Sequence, residues 1–148
     1  MLTLSGRARN AREDILPHLI VEYSANVEAR VELDRLLDRL YETAVASGMF
    51  PLGGIRVRAY RADDYRIADC HEDNGFVHVT AIVGAGRSLE RRTEVSRQLF
   101  DALCDELSAA QATSPLAISF NMREFDAVLN FKKNNLHEFV DKRAKNDV

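Results

Sequence analysis

One pattern repeats along the chain: a short apolar strand, an amphipathic helix, then a strand in which polar and apolar residues alternate. Leu19-Ile20-Val21, ending at Tyr23, is a short β-branched run suited to a buried strand. Ser24 and Asn26 offer helix-capping oxygens, and Leu33, Leu36, Leu37, Leu40 and Ala44 recur at helical spacing. Gly48 suits the helix stop and Pro51 forbids continuation. Ile55 to Tyr60 then alternates strictly, with Ile55, Val57 and Ala59 on one side and Arg56, Arg58 and Tyr60 on the other. About 60 residues later the order recurs. Phe76 to Val83 alternates as a strand, and Ser88 caps a helix marked by Val95, Leu99, Ala102, Leu103 and Leu107. Pro115 breaks that helix, and Leu116, Ile118, Phe120 and Met122 alternate as a fourth strand.

Two βαβ units in a chain of 148 residues predict one α+β domain, a four-stranded sheet with two helices on one face. The other face is expected to be apolar and bare, and therefore covered by another subunit. Arg61 to Asp69 is read as a short hairpin between the halves. Residues 1–16 are Arg-rich and without periodicity, an expected disordered extension; 17–140 form the domain; 141–148 are expected to fray.

Composition excludes several functions. The net charge of −3 argues against general nucleic-acid binding, which calls for clustered positive charge. No run approaches the ~18 apolar residues of a membrane span, and residues 1–16 lack a secretory signal's apolar stretch. A cytoplasmic protein without nucleic-acid or membrane partners is expected. Cys70 and Cys104 have neither metal-ligand spacing nor a CxxC motif; they read as two reduced thiols, with one disulfide as the alternative.

Arg56, on a strand after Gly53-Gly54, and Arg87, where a strand turns into a helix, can both border a crevice at strand ends. Their planar forks match carboxylates bidentately, so two of them suit a dicarboxylate; taken alone, either is also an ordinary surface arginine. Gly84-Ala85-Gly86-Arg87-Ser88 lacks the Lys of a phosphate loop and reads as a tight turn. Asp63, Asp64, Asp69, His71, Glu72 and Asp73 read as a solvated acidic loop without the spacing of a cation site. His18, His78 and His137 have no partner that periodicity can place. Pro17, as an internal residue, has an amide nitrogen with no basicity. As a first residue it carries a secondary amine, tunable toward neutrality by burial and nearby cations.

PHLIVEYSAN at 17–26, GMFPLGGIRVR at 48–58, FVHVTAIVGAGRSLE at 76–90 and LNFKKNNLHEF at 129–139 together resemble the 5-carboxymethyl-2-hydroxymuconate isomerases of the tautomerase superfamily. The resemblance implies a homotrimer of βαβ repeats and a cofactor-independent, metal-free isomerase. It also implies Pro17 as catalytic base once amino-terminal, Arg56 and Arg87 as substrate-binding residues, and a small polycarboxylate substrate. The implied substrate is the dienol from ring cleavage in homoprotocatechuate breakdown, part of 4-hydroxyphenylacetate catabolism. Phe50, Phe131 and Asn134 are candidate pocket liners. Two alternatives stand beside it: a non-catalytic trimeric binding module for small carboxylated ligands, and a tautomerase acting on another 2-oxo acid.

One departure from the resembled pattern is the segment before Pro17. If retained, it makes the base an amide. The expectation is a start-site artefact, with Leu16 decoded from an initiating leucine-type codon as methionine and then removed.

Overall fold

The computed structural model describes residues 16–146. Most of the expected extension, residues 1–15, and the last two residues lie outside that range. Four strands form a single sheet: β1 (His18–Ser24), β2 (Arg56–Ala62), β3 (Gly75–Val83) and β4 (Leu116–Glu124). Their order is β2-β1-β3-β4, with β1 parallel to β2, β3 parallel to β4, and β1 antiparallel to β3. Each parallel pair is bridged by one helix, α1 (Leu33–Ala46) or α2 (Leu89–Thr113). A third helix, α3 (Leu136–Asn146), follows β4.

Alternation decides which side of each strand is buried. Leu19, Val21, Val77, Val79, Ala81 and Val83 are fully buried, and meet Leu36, Leu40 and Ala44 of α1 and Val95, Leu99, Leu103 and Leu107 of α2. Val57, Ala59, Ile118, Phe120 and Met122 pack on the rim of this core from the two outer strands. Truncating a leucine such as Leu40 or Leu103 there is expected to cost about 2–5 kcal/mol. The helix stops follow their residues. Gly48 takes φ +69°, a left-handed value that favours glycine. Ser88 Oγ accepts from Arg91 N at 3.1 Å as the α2 cap.

Four expectations need correction. The helix-free face is not bare apolar surface. Register places Arg56, His18, Ile82 and Arg123 in one row across it, and Tyr60, Glu22, His78 and Ser119 in another. His78 Nδ1 and Ser119 Oγ lie 2.6 Å apart there. Ser24 and Asn26 do not cap α1, which begins seven residues after Asn26 beyond a 3-10 turn at Ala25–Ala29. Instead they cross-brace the sheet: Phe76 N donates to Ser24 Oγ (3.0 Å), and Asn26 Nδ2 donates to Glu72 O (3.1 Å) and Asn74 O (2.8 Å). The segment after β2 is a loop rather than a hairpin, with left-handed backbone at Ala68 and Cys70. Finally, α3 crosses the 140/141 boundary set for a frayed tail. Asn134 Oδ1 accepts from Leu136 N at 2.9 Å where the helix begins.

Among the described residues no helix is long and apolar enough to cross a membrane.

Candidate active site

The sheet register brings one set of chain segments to one end of the sheet. His18, which opens β1, pairs with Arg56, which opens β2, and with Ile82 near the end of β3. The end of β4 joins them, because Phe125 N donates to Val83 O at 2.8 Å. Pro17 is therefore set directly beside Arg56: Arg56 N donates to Pro17 O at 3.1 Å, extending the parallel ladder by one bond. Pro17 is buried, and so is the preceding Leu16 at 5% exposure. With Leu16 attached, the Pro17 nitrogen is an amide.

Arg56 is half-buried, and its Nη1 donates to Gly54 O at 2.9 Å. The turn before it, Leu52–Gly54, is a short 3-10 helix clamped by α3. Asn134 Nδ2 donates to Gly53 O at 3.2 Å. A Cβ on Gly53 would lie 2.6 Å from His137 Nδ1 and 2.9 Å from the His137 backbone N and Cα. Glycine is required here by close approach. His137 Nε2 is buried with no hydrogen-bond partner among the described residues, so the ring serves as packing against this turn.

Arg87 lies at the same end, on the turn that leaves β3. Its backbone is held from several sides. Glu124 Oε2 accepts from Gly86 N (3.0 Å), and Glu124 Oε1 pairs with Arg92 Nη1 (3.5 Å). Arg92 Nε donates to Arg87 O at 3.2 Å, and Ser88 starts α2 immediately afterwards. Gly86 has φ +107°, which only glycine adopts without strain. The three residues singled out from sequence thus lie at the same end of the sheet, Pro17 and Arg56 in direct backbone contact and Arg87 on the turn that follows β3.

Further residues gather at this end that sequence reasoning does not place there. Arg58 Nη1 lies 2.9 Å from His18 Nδ1. Arginine can only donate, so Nδ1 accepts and the neutral ring carries its proton on Nε2. Phe125 meets the His18 ring edge-on at 5.5 Å, and Lys132 Nζ lies 5.8 Å from the Phe125 centroid. Burial first, then the charges of Arg58, Arg56 and Lys132, hold the His18 imidazole below its ordinary value of 6.5. The alternation that puts Arg56 and Arg58 on one strand face is a usable signal for this cluster. Nothing local announces that β1 brings His18 to it.

The suggested liners divide. Phe50 is 6% exposed and belongs to the core rather than to a pocket wall. Phe131 is 86% exposed, and Asn134 acts through the backbone of Gly53. Among the described residues, those of the acidic loop included, no group of three or more His, Cys, Asp or Glu could hold a metal ion.

Known proteins match this arrangement along nearly its whole length. The family model for 5-carboxymethyl-2-hydroxymuconate isomerase matches residues 17–140. A 5-carboxymethyl-2-hydroxymuconate Delta-isomerase from Escherichia coli is 40% identical over 122 residues, covering 82% of this chain and 97% of that protein. The crystal structure of a 5-carboxymethyl-2-hydroxymuconate isomerase from Deinococcus radiodurans R1 is 38% identical. It superposes with a TM-score of 0.81 over 88% of this chain and 98% of that one. A further crystal structure of a 5-carboxymethyl-2-hydroxymuconate delta-isomerase is 25% identical, with a TM-score of 0.80 over 88% and 97% of the two chains. The repeat, the clamped strand ends and these matches lead to one conclusion: the chain belongs to the 5-carboxymethyl-2-hydroxymuconate isomerase family and is an enzyme of that isomerase type.

Proposed function

We propose that this isomerase converts 5-carboxymethyl-2-hydroxymuconate from its 2-hydroxy-dienoate to its 2-oxo-enoate form, with Pro17 as the base. Pro17 acts as an amino-terminal secondary amine. It accepts the proton of the 2-hydroxyl, the double bonds shift along the diene, and the protonated amine delivers a proton to the carbon at the far end, which returns Pro17 to its neutral form. No net electron transfer occurs, so the step needs no redox partner. A neutral amine is required near pH 7, and cationic neighbours depress an amine's pKa by disfavouring its protonated form. Arg56 and Arg87 bind carboxylates and stabilise the negative charge that grows on the 2-oxygen. In the cell the substrate is the ring-cleavage dienol of homoprotocatechuate breakdown, within cytoplasmic 4-hydroxyphenylacetate catabolism.

The observation that carries this reading is the Arg56 N–H to Pro17 C=O bond, which ties the candidate base to a candidate anchor at 3.1 Å. Two facts support Pro17 as a first residue. The family match opens at residue 17, and the Escherichia coli relative is 97% covered by 122 matched residues. The proposal places translation initiation at Leu16, decoded as methionine and then removed, so that residues 1–15 are not made.

The working assembly is a homotrimer. The helix-free face supports this, because half-buried Ile20, Phe76 and Ile82 share it with the charged and polar rows and gain from burial between subunits. Light scattering is expected to give three times the chain mass.

The test is turnover of the dienol by protein beginning at Pro17 against the 148-residue chain. The free amine is expected to be faster by roughly 100- to 10,000-fold, the range of a positioned acid–base group. Equal rates would remove Pro17 as base. Equal inactivity, with ligand binding retained, would favour a carboxylate-binding module.

A further inference from the structure

Arg87 can anchor a substrate carboxylate only while no carboxylate of the chain holds its guanidinium, because an internal ion pair would compete with the ligand. One such carboxylate stands close by. Glu124, at the end of β4, accepts through Oε2 from the N–H of Gly86, the residue before Arg87 (3.0 Å). The Arg87 Cα follows Gly86 N within about 5 Å along the backbone, so an extended Arg87 side chain can reach that carboxylate.

The chain gives Glu124 a different cation. Arg92, in the first turn of α2, places Nη1 3.5 Å from Glu124 Oε1, and its Nε donates to Arg87 O at 3.2 Å. One guanidinium thus holds the Glu124 charge with one arm and the backbone of the anchor residue with the other. Among the described residues the Arg87 guanidinium itself makes no hydrogen bond or ion pair, with Glu124 or with Glu90 three residues on. The side chains of Arg92 and Glu124 are 28% and 31% exposed, so the choice of partner for Glu124 turns on a modest energy. Asp126, the next carboxylate along the chain, is committed through Oδ1 to its own Asx turn, accepting from Val128 N (2.8 Å) and from Leu129 N.

We propose that Arg92 is a positioning residue: by taking up Glu124 it keeps that carboxylate off Arg87 and leaves the Arg87 guanidinium open to a carboxylate of the substrate. The assignment rests on the isomerase function proposed above. Without Arg92, Glu124 turns to Arg87 and blocks the anchor from within the chain.

The experiment measures kcat and KM for dienol turnover in the active parent enzyme, in Arg92→Gln, in Arg92→Lys and in the double variant Arg92→Gln/Glu124→Gln. Arg92→Gln is expected to raise KM roughly 5- to 50-fold with kcat changed less, since a competing carboxylate weakens binding at Arg87. Arg92→Lys keeps a cation for Glu124 and is expected to stay within about threefold of the parent. The double variant removes the competing charge, while the amide oxygen at position 124 still accepts from Gly86 N. Its KM is expected to return to within about threefold of the parent. A purely structural Arg92 requires the opposite, a double variant at least as impaired as the single one, and that result would overturn the assignment. So would a KM for Arg92→Gln within about twofold of the parent, or an Arg92→Gln chain that does not fold. A parent enzyme that does not turn over the dienol would defeat the isomerase reading itself, and the role of Arg92 with it.

Discussion

The two ends of the sheet are related by the βαβ repeat but have opposite chemistry. At the start of β3, polar groups satisfy one another. Ser24 Oγ donates to Asn26 Oδ1 (2.7 Å) and accepts from Phe76 N, while Asn26 holds the carbonyls of Glu72 and Asn74. Gly75 is packed so closely that an added Cβ would lie 3.2–3.3 Å from Asn26, Ser24 and Val27 side-chain atoms. At the start of β1, the corresponding position in the repeat, cations gather around Pro17 and His18. One end is closed and commits its hydrogen bonds to rigidity. The other keeps positive charge in excess, an arrangement stable only when an anion or water faces it. The same fold element therefore gathers neutral, mutually bonded groups at one end and cations at the other.

Breaking the open end should remove activity and leave the fold. Arg56→Gln and Arg87→Gln are each expected to lower kcat/KM by roughly 100- to 1,000-fold, with the denaturation midpoint little changed. Steady-state assays beside urea titrations check this. A smaller, mixed effect is expected at the turn that feeds the open end. Gly53→Ala places a methyl against the His137 backbone, costs about 1–3 kcal/mol of stability, and raises KM by displacing Arg56.

Breaking the closed end should do the reverse. Asn26→Ala leaves two loop carbonyls without their donor and is expected to cost about 1–2 kcal/mol, with kcat/KM preserved. If it instead abolished turnover with the fold intact, the division between the ends would be wrong. The smallest effect concerns pH. The His18 imidazole is held below 6.5 in the folded chain, so below that pH the unfolded chain binds the proton more readily. Stability from this group is present above pH 6.5 and is lost as pH falls from there through the depressed folded value. Denaturant midpoints of the parent and His18→Asn, measured across that window, should converge as the solution is acidified.

Much of the fold is legible in the sequence because one face of each strand is buried and the side-chain period is two. Val77, Val79, Ala81 and Val83 could only point inward together, and Ser88 could only cap what followed it. The misreadings share a cause: a partner distant in sequence. Ser24 and Asn26 have the oxygens of a helix cap, yet their partners are residues 72–76 across the sheet. Helix α3 has no buried residue, so no core-facing stripe announces it; it is placed by contact with Gly53. Phe50 reads as a pocket liner but follows the α1 stop directly into the core. At the site, Arg56 and Arg87 are visible as arginines at strand ends, whereas the approach of Lys132 and Phe125 to His18 depends on how the segment after β4 folds back.

The proposed mechanism rests on a single nitrogen, that of Pro17, and the mass of the active protein tests it most directly. Enzyme purified from its native source on the basis of dienol turnover should have the mass of a chain whose first residue is Pro17, with a free secondary amine. Full activity in a protein whose mass still includes residues 1–16 would contradict the account.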